Sequence, residues 1–129
     1  MKNELKETLI KNYPTLFVSK DMAKVDPSFD CQDGWFPLVE TISKLMVKSS
    51  SDIRAVCVQK KTARLCFIVA GCPKEEKDYI FGITEMASKI SESVCEICSC
   101  RGEMFNGNSM AARCANHSGH MLPFFRRLM

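Results

Sequence analysis

No apolar run in this sequence approaches the roughly twenty residues that a helix needs to cross a bilayer, so no transmembrane segment is expected. The opening residues, Met1-Lys2-Asn3-Glu4-Leu5-Lys6-Glu7, carry charge with no apolar stretch behind them, and therefore lack the pattern of a signal peptide. The protein is expected to stay where it is made, in a reducing cytosol. Histidine is scarce: His117 and His120 are the two in the chain, and neither has a Ser or an unassigned Cys beside it in sequence. A Cys–His nucleophile pair could form only through the fold. A net charge of +3 is too small to imply nucleic acid by itself, because phosphate binding comes with a concentrated basic face. There is no internal repeat and no low-complexity segment. What remains, 46 % hydrophobic and 26 % charged over 129 residues, is the composition of one folded domain or of a small domain with a metal-bound appendage.

Cysteine, by contrast, is plentiful, at positions 31, 57, 66, 72, 95, 98, 100 and 114. In a secreted chain eight would suggest disulfides; without a signal they read as metal ligands and reduced core residues. Four positions stand out. Cys95-Glu96-Ile97-Cys98 and Cys114-Ala115-Asn116-His117 each place two donors two residues apart, with fifteen residues between the pairs. This is close to the ligand spacing of structural zinc sites, in which each pair sits on a tight knuckle and the intervening segment loops out and returns. Cys95, Cys98, Cys114 and His117 would fill all four positions of one zinc ion, leaving none for water, so the zinc would be structural. Cys100 and His120 are spare candidates for the fourth ligand, and buried reduced thiols are the alternative reading. Arg101 to Asn108, with two glycines and polar turn residues, is expected to form the hairpin tip of this module.

Ahead of the cysteines the patterning is α+β. Leu5, Leu9 and Ile10 mark a short amphipathic helix over 2–12 that stops before Tyr13-Pro14, and Val18 to Cys31 lacks any sustained period and reads as a connecting loop. In Asp33-Gly34-Trp35-Phe36-Pro37-Leu38 the Asp is placed to cap a helix and the Pro sits in its first turn. Trp35, Leu38, Val39, Ile42, Leu45 and Met46 then give one apolar face. Ile53–Gln59 and Leu65–Ala70 read as strands joined into an antiparallel hairpin across Lys60-Lys61-Thr62-Ala63-Arg64. Apolar residues on both faces imply a sheet covered on both sides or extended by another strand. Lys74 to Val94 follows as a second long helix, with Ile80, Ile83, Met86, Ala87, Ile90 and Val94 at helical spacing, running straight into Cys95. The expected architecture is an antiparallel hairpin or small sheet packed by two amphipathic helices over 1–94, a zinc-ribbon-like knuckle over 95–121 and a tail over 122–129.

The order of these motifs resembles a family of small proteins from bacteria and their phages. The likeness rests on Tyr13-Pro14-Thr15-Leu16-Phe17, Cys31-Gln32-Asp33-Gly34-Trp35-Phe36, Cys95-Glu96-Ile97-Cys98, and Cys114 with His117. The chain departs from it at Gln59 to Phe67, which lacks the family's turn aromatic and glycine, and at Ser99, where a glycine is usual. The resemblance implies the fold, the zinc and a phage or prophage setting, and no activity.

Asp30, Asp33 and Glu40 could be drawn as a carboxylate site, but Asp33 has a capping role and Glu40 sits off the apolar face, so catalysis is not expected of them. Trp35 at the start of an amphipathic helix reads as core. Two functional expectations remain. One is a non-enzymatic module that binds and modulates a macromolecule, foremost a protein, through the tail residues Phe124, Phe125, Arg126 and Arg127, since Phe and Arg are favoured interface anchors. The other is a nucleic-acid-binding protein using Lys60, Lys61 and Arg64 of the hairpin turn with Arg113, Arg126, Arg127 and the zinc module on the phosphate backbone.

Overall fold

The computed structural model describes residues 1–18, 28–106, 110–119 and 122–123 of the chain. The chain begins with α1 (Asn3–Asn12), and Pro14, which cannot donate a hydrogen bond, opens a further short helix, α2 (Pro14–Phe17). Leu9, Leu16 and Phe17 are fully buried by this pair, and the Phe17 ring lies against Phe29, centroids 5.5 Å apart.

Phe29 belongs to β1 (Ser28–Asp30), which corrects the expectation of a connecting loop up to Cys31: these three residues pair in parallel with Cys57, Val58 and Gln59. Three residues are too few to show alternation, and a parallel partner far along the chain leaves no local trace. The remainder of that loop, residues 19–27, lies outside the described residues.

The hairpin forms as expected, from β2 (Arg54–Lys61) and β3 (Arg64–Ala70), so the sheet runs in the order β1, β2, β3. Its turn is tighter than the five-residue connection expected. Lys61 pairs with Arg64, leaving Thr62 and Ala63 as a two-residue loop with φ of 53° and 64°. That is the conformation whose twist matches a hairpin and which Asn-Gly adopts most easily. On one face Ala55, Val58, Leu65 and Phe67 are buried; a bulge between Ala55 and Cys57 turns Val56 outward, where it is exposed with Ile68. Of the two readings of the apolar strands, the described residues show the sheet extended by a third strand, with Val56 and Ile68 exposed on its other face.

A single 3-10 turn, Asp33–Trp35, leads into α3 (Phe36–Ser49), with Pro37 in its first turn. Asp33 does not cap this helix. Its Oδ1 instead accepts the backbone N–H of Lys2 at 2.8 Å, because the start of α1 lies against it. Trp35, Val39, Ile42 and Met46 bury in the core cluster with the hairpin. The second long helix has a 3-10 lead-in, Lys74–Glu76, and becomes α4 (Lys77–Ser91). Ile80, Ile83 and Ala87 are buried, but Met86 and Ile90, assigned to the same face, are exposed.

Beyond α4 lies a second small sheet in the order β5, β4, β6, built from β4 (Glu103–Asn106), β5 (Met110–Arg113) and β6 (Leu122–Pro123). The first tail residues thus pair with β4, Leu122 opposite Asn106 and Pro123 opposite Phe105. Ala112 of β5 belongs to the same buried cluster as Trp35, so the two sheets share packing. None of the described helices is long and apolar enough to cross a membrane.

Candidate metal centre

Val94 and Arg101 bridge across the stretch that carries the first two cysteines, closing it into a narrow loop. Within it the Cys95 N–H donates to Cys100 O at 2.8 Å and the Ser99 N–H donates to Cys95 O at 3.0 Å, folding Cys95 to Cys98 into a knuckle. The fold requires φ of +70° at Ser99, in the left-handed region where a β-carbon is disfavoured. Ser99 offsets that strain by donating its hydroxyl to Gly34 O at 2.6 Å. The second knuckle is a 3-10 turn, Ala115–His117, in which the His117 N–H donates to Cys114 O at 3.1 Å. It is held beside the first by the Glu96 N–H, which donates to Ala112 O at 3.0 Å.

These turns bring one donor atom each from Cys95, Cys98, Cys114 and His117 to within 4.8 Å of one another, a group that can hold a metal ion. Cys95 Sγ is 3.7 Å from His117 Nδ1, Cys98 Sγ is 3.6 Å from Cys114 Sγ, and Cys114 Sγ is 3.2 Å from His117 Nδ1. Around a tetrahedral zinc ion, bond lengths of about 2.3 Å to sulfur and 2.0 Å to nitrogen place neighbouring sulfurs about 3.8 Å apart and sulfur and nitrogen about 3.5 Å apart. The donors present fit that cage in type and spacing. Cys95 and Cys114 are buried and Cys98 is exposed. Burial pushes the Cys95 thiol up, but backbone N–H groups of Cys114, Cys98 and Ile97 outweigh it and hold it at about 6. Desolvation raises Cys114, which shares its proton with the neighbouring sulfurs. Of the spare candidates, Cys100 is exposed and outside the group, and His120 lies outside the described residues.

The segment that opens α3 is docked on the first knuckle. Gly34 donates its N–H to Glu96 O at 2.8 Å, and the Trp35 indole N–H donates to Val94 O at 2.9 Å. The motif Asp33-Gly34-Trp35 thus serves the metal-bearing loop sixty residues away as well as the helix that follows it. Nothing in the local sequence signals this, because the contact is made to backbone.

Glu96, between two ligands, is fully buried and was not singled out from the sequence. Its Oε1 receives Lys60 Nζ at 3.1 Å and Arg113 Nη2 at 2.8 Å, a bridge from the knuckle to both sheets. The basic residues proposed for phosphate binding are therefore largely engaged within the protein: Lys60 and Arg113 with Glu96, and Arg64 with Glu92. Lys61 is exposed and has no ion pair among the described residues. Phe124, Phe125, Arg126 and Arg127 lie outside the described residues. Asp30, Asp33 and Glu40 form no metal-capable group among the described residues.

A groove of about 940 Å³ runs between β3 and α4 and ends against the second sheet. Phe67, Ile68, Ile80, Phe81, Met104 and Met110 supply its apolar lining, and Lys61, Arg64, Lys77 and Glu85 its charged groups. Comparison of the chain with protein-family models, with curated proteins and with solved structures gives no match.

Proposed function

We propose that this chain is a non-enzymatic, zinc-stabilised interaction module that binds and modulates a protein partner. The observation that carries the reading is the Cys95, Cys98, Cys114, His117 group, whose four donors lie within 4.8 Å. A tetrahedral zinc held by four protein ligands has no position left for a substrate or an activated water, so the ion serves the fold. What it stabilises is a surface: the metal-bearing sheet contributes Met104 and Met110 to the end of the groove beside β3 and α4. An apolar groove with a few charged groups at its rim suits a peptide segment of a partner protein, with acidic residues facing Lys61 and Lys77. A phage or prophage setting rests on the motif resemblance at Cys31 to Phe36 and Cys95 to Cys98.

The rival reading, nucleic-acid binding, draws less support, because Lys60, Arg64 and Arg113 already face internal carboxylates. Capture of partners from the native host with the unaltered protein and with Phe81→Asp tests the proposal. A defined protein retained by the first and lost by the second is expected. Binding to mixed DNA and RNA at two salt concentrations provides the contrary arm: tight binding that weakens steeply as salt rises would overturn the protein reading.

A further inference from the structure

Strand β3 is an edge: the sheet order β1, β2, β3 leaves it paired on one side alone among the described residues. Arg64, opposite Lys61, closes the two-residue turn, and in a hairpin of that kind the closing pair exchanges hydrogen bonds. Pairing then alternates along β3, so Arg64, Cys66 and Ile68 turn their backbone N–H and C=O groups to β2, while Leu65, Phe67 and Val69 turn theirs outward. One contact verifies this parity. The Leu65 N–H donates away from the ladder, to Ser91 Oγ of α4 at 2.8 Å. No hydrogen bond reaches the outward groups of Phe67 and Val69 among the described residues.

An edge of this kind is ordinarily guarded by charged side chains, proline, a bulge or a covering segment. In Arg64-Leu65-Cys66-Phe67-Ile68-Val69-Ala70 the one charge stands at the first residue, there is no proline, and the bulge of the hairpin lies on β2. Instead the edge opens into the groove beside α4. Leu65 and Phe67 from one face of β3 and Cys66 and Ile68 from the other all line it, so the groove runs along the edge itself. Backbone donors and acceptors along an apolar cleft suit a ligand with alternating backbone groups of its own, which is an extended polypeptide. Charge indicates which one. The groove carries Lys61 beside the turn and Lys77 at the start of α4 against Glu85, while Arg64 pairs with Glu92. An acidic segment is attracted there, whereas residues 124–129 of this chain bring Arg126 and Arg127 and no acid. A second copy would bring a folded domain with its own α4 and the same lysines to an edge that a lone strand can enter.

We propose that the partner protein adds an acidic, extended segment to the β3 edge as a fourth strand of the sheet, hydrogen-bonded to Phe67 and Val69 and lying against Phe81 of α4. This rests on the groove reading given above and adds how the partner is held. The test uses the zinc-loaded full chain and a display library of random short peptides, the tightest binder being resynthesised with a single N-methyl group at each position in turn. Strand addition gives an alternating pattern: N-methylation at alternate positions across the contact weakens binding about tenfold or more, and the positions between are tolerated. Val69→Pro supplies the reciprocal change. It removes an outward N–H that the ladder does not use, at the kind of edge position where proline is accommodated. Zinc content and circular dichroism are expected to hold while the peptide binds about tenfold more weakly; if this variant does not fold, the N-methyl series decides alone. A peptide lost on Phe81→Asp but indifferent to N-methylation at every position would overturn the strand and leave the groove reading standing. Peptides that ignore Phe81→Asp, or a selection that yields no binder, would overturn both. A doubled mass in light scattering, abolished by Val69→Pro, would assign the edge to a second copy and overturn the proposal as well.

Discussion

Gly34 and Glu96 meet backbone to backbone, with the Gly34 N–H donating to the Glu96 carbonyl at 2.8 Å. There is no room between them for a side chain: a β-carbon at residue 34 would lie 2.2 Å from Cys95 O and 2.7 Å from Glu96 O. The start of α3 and the first metal knuckle are thus one packed unit. Gly34→Ala is expected to destabilise the zinc-loaded protein by about 3 kcal/mol, since backbone must shift on both sides of the contact. Urea unfolding measures this, and the same variant is expected to bind zinc more weakly.

Glu96→Gln removes a fully buried charge that holds Lys60 and Arg113, whose side chains are themselves mostly covered. Leaving two such cations without their carboxylate is expected to cost about 3 kcal/mol. Lys60→Met removes one of the two partners and leaves Arg113 in place, so its cost is expected near 1 kcal/mol. The double variant, measured in the same unfolding series, is expected to cost less than the sum.

At the hairpin turn the expected change is a gain. Thr62 is β-branched and exposed yet held at φ of 53°, a conformation that Asn tolerates far better. Thr62→Asn is expected to raise stability by about 1 kcal/mol, seen as a higher thermal midpoint with unchanged zinc content.

Two thiols give the metal-free protein a pH profile. Cys95 titrates at about 6 in the fold against an ordinary value of 9.0, so the unfolded chain binds the extra proton between these values and stability rises with pH across that window. Protonation of Cys95 as pH falls through about 6 removes this contribution. Cys31 is pushed the other way by burial, to about 11, so its contribution is present below 9.0 and lost as pH rises through 11. Thiolate absorbance of the metal-free protein is the direct check, with one thiolate expected to appear at a midpoint near 6; no change below pH 8 would contradict it.

How much of this was legible from sequence follows from the range of each interaction. Cys95 with Cys98, and Cys114 with His117, sit on single turns, so their spacing alone carries their chemistry. The apolar steps of α3 and the strand pair are local too. β1 was hidden because three residues show no period and their partner, Cys57 to Gln59, is distant. Asp33 reads locally as a cap, yet the start of α1 reaches it first. Periodicity likewise names the apolar face of α4 without saying what covers it, which is why Met86 and Ile90 read as core and stand in solvent. Glu96 gave no signal at all, since its partners Lys60 and Arg113 come from other strands.

Metal content decides the central claim. Protein purified without added metal and analysed for its elements is expected to carry one zinc per chain, held by Cys95, Cys98, Cys114 and His117. Serine at any of the three cysteines, or alanine at His117, is expected to release it and to lower the thermal midpoint. Less than about half an equivalent of zinc in the unaltered protein, or full zinc retained by His117→Ala, would contradict the account.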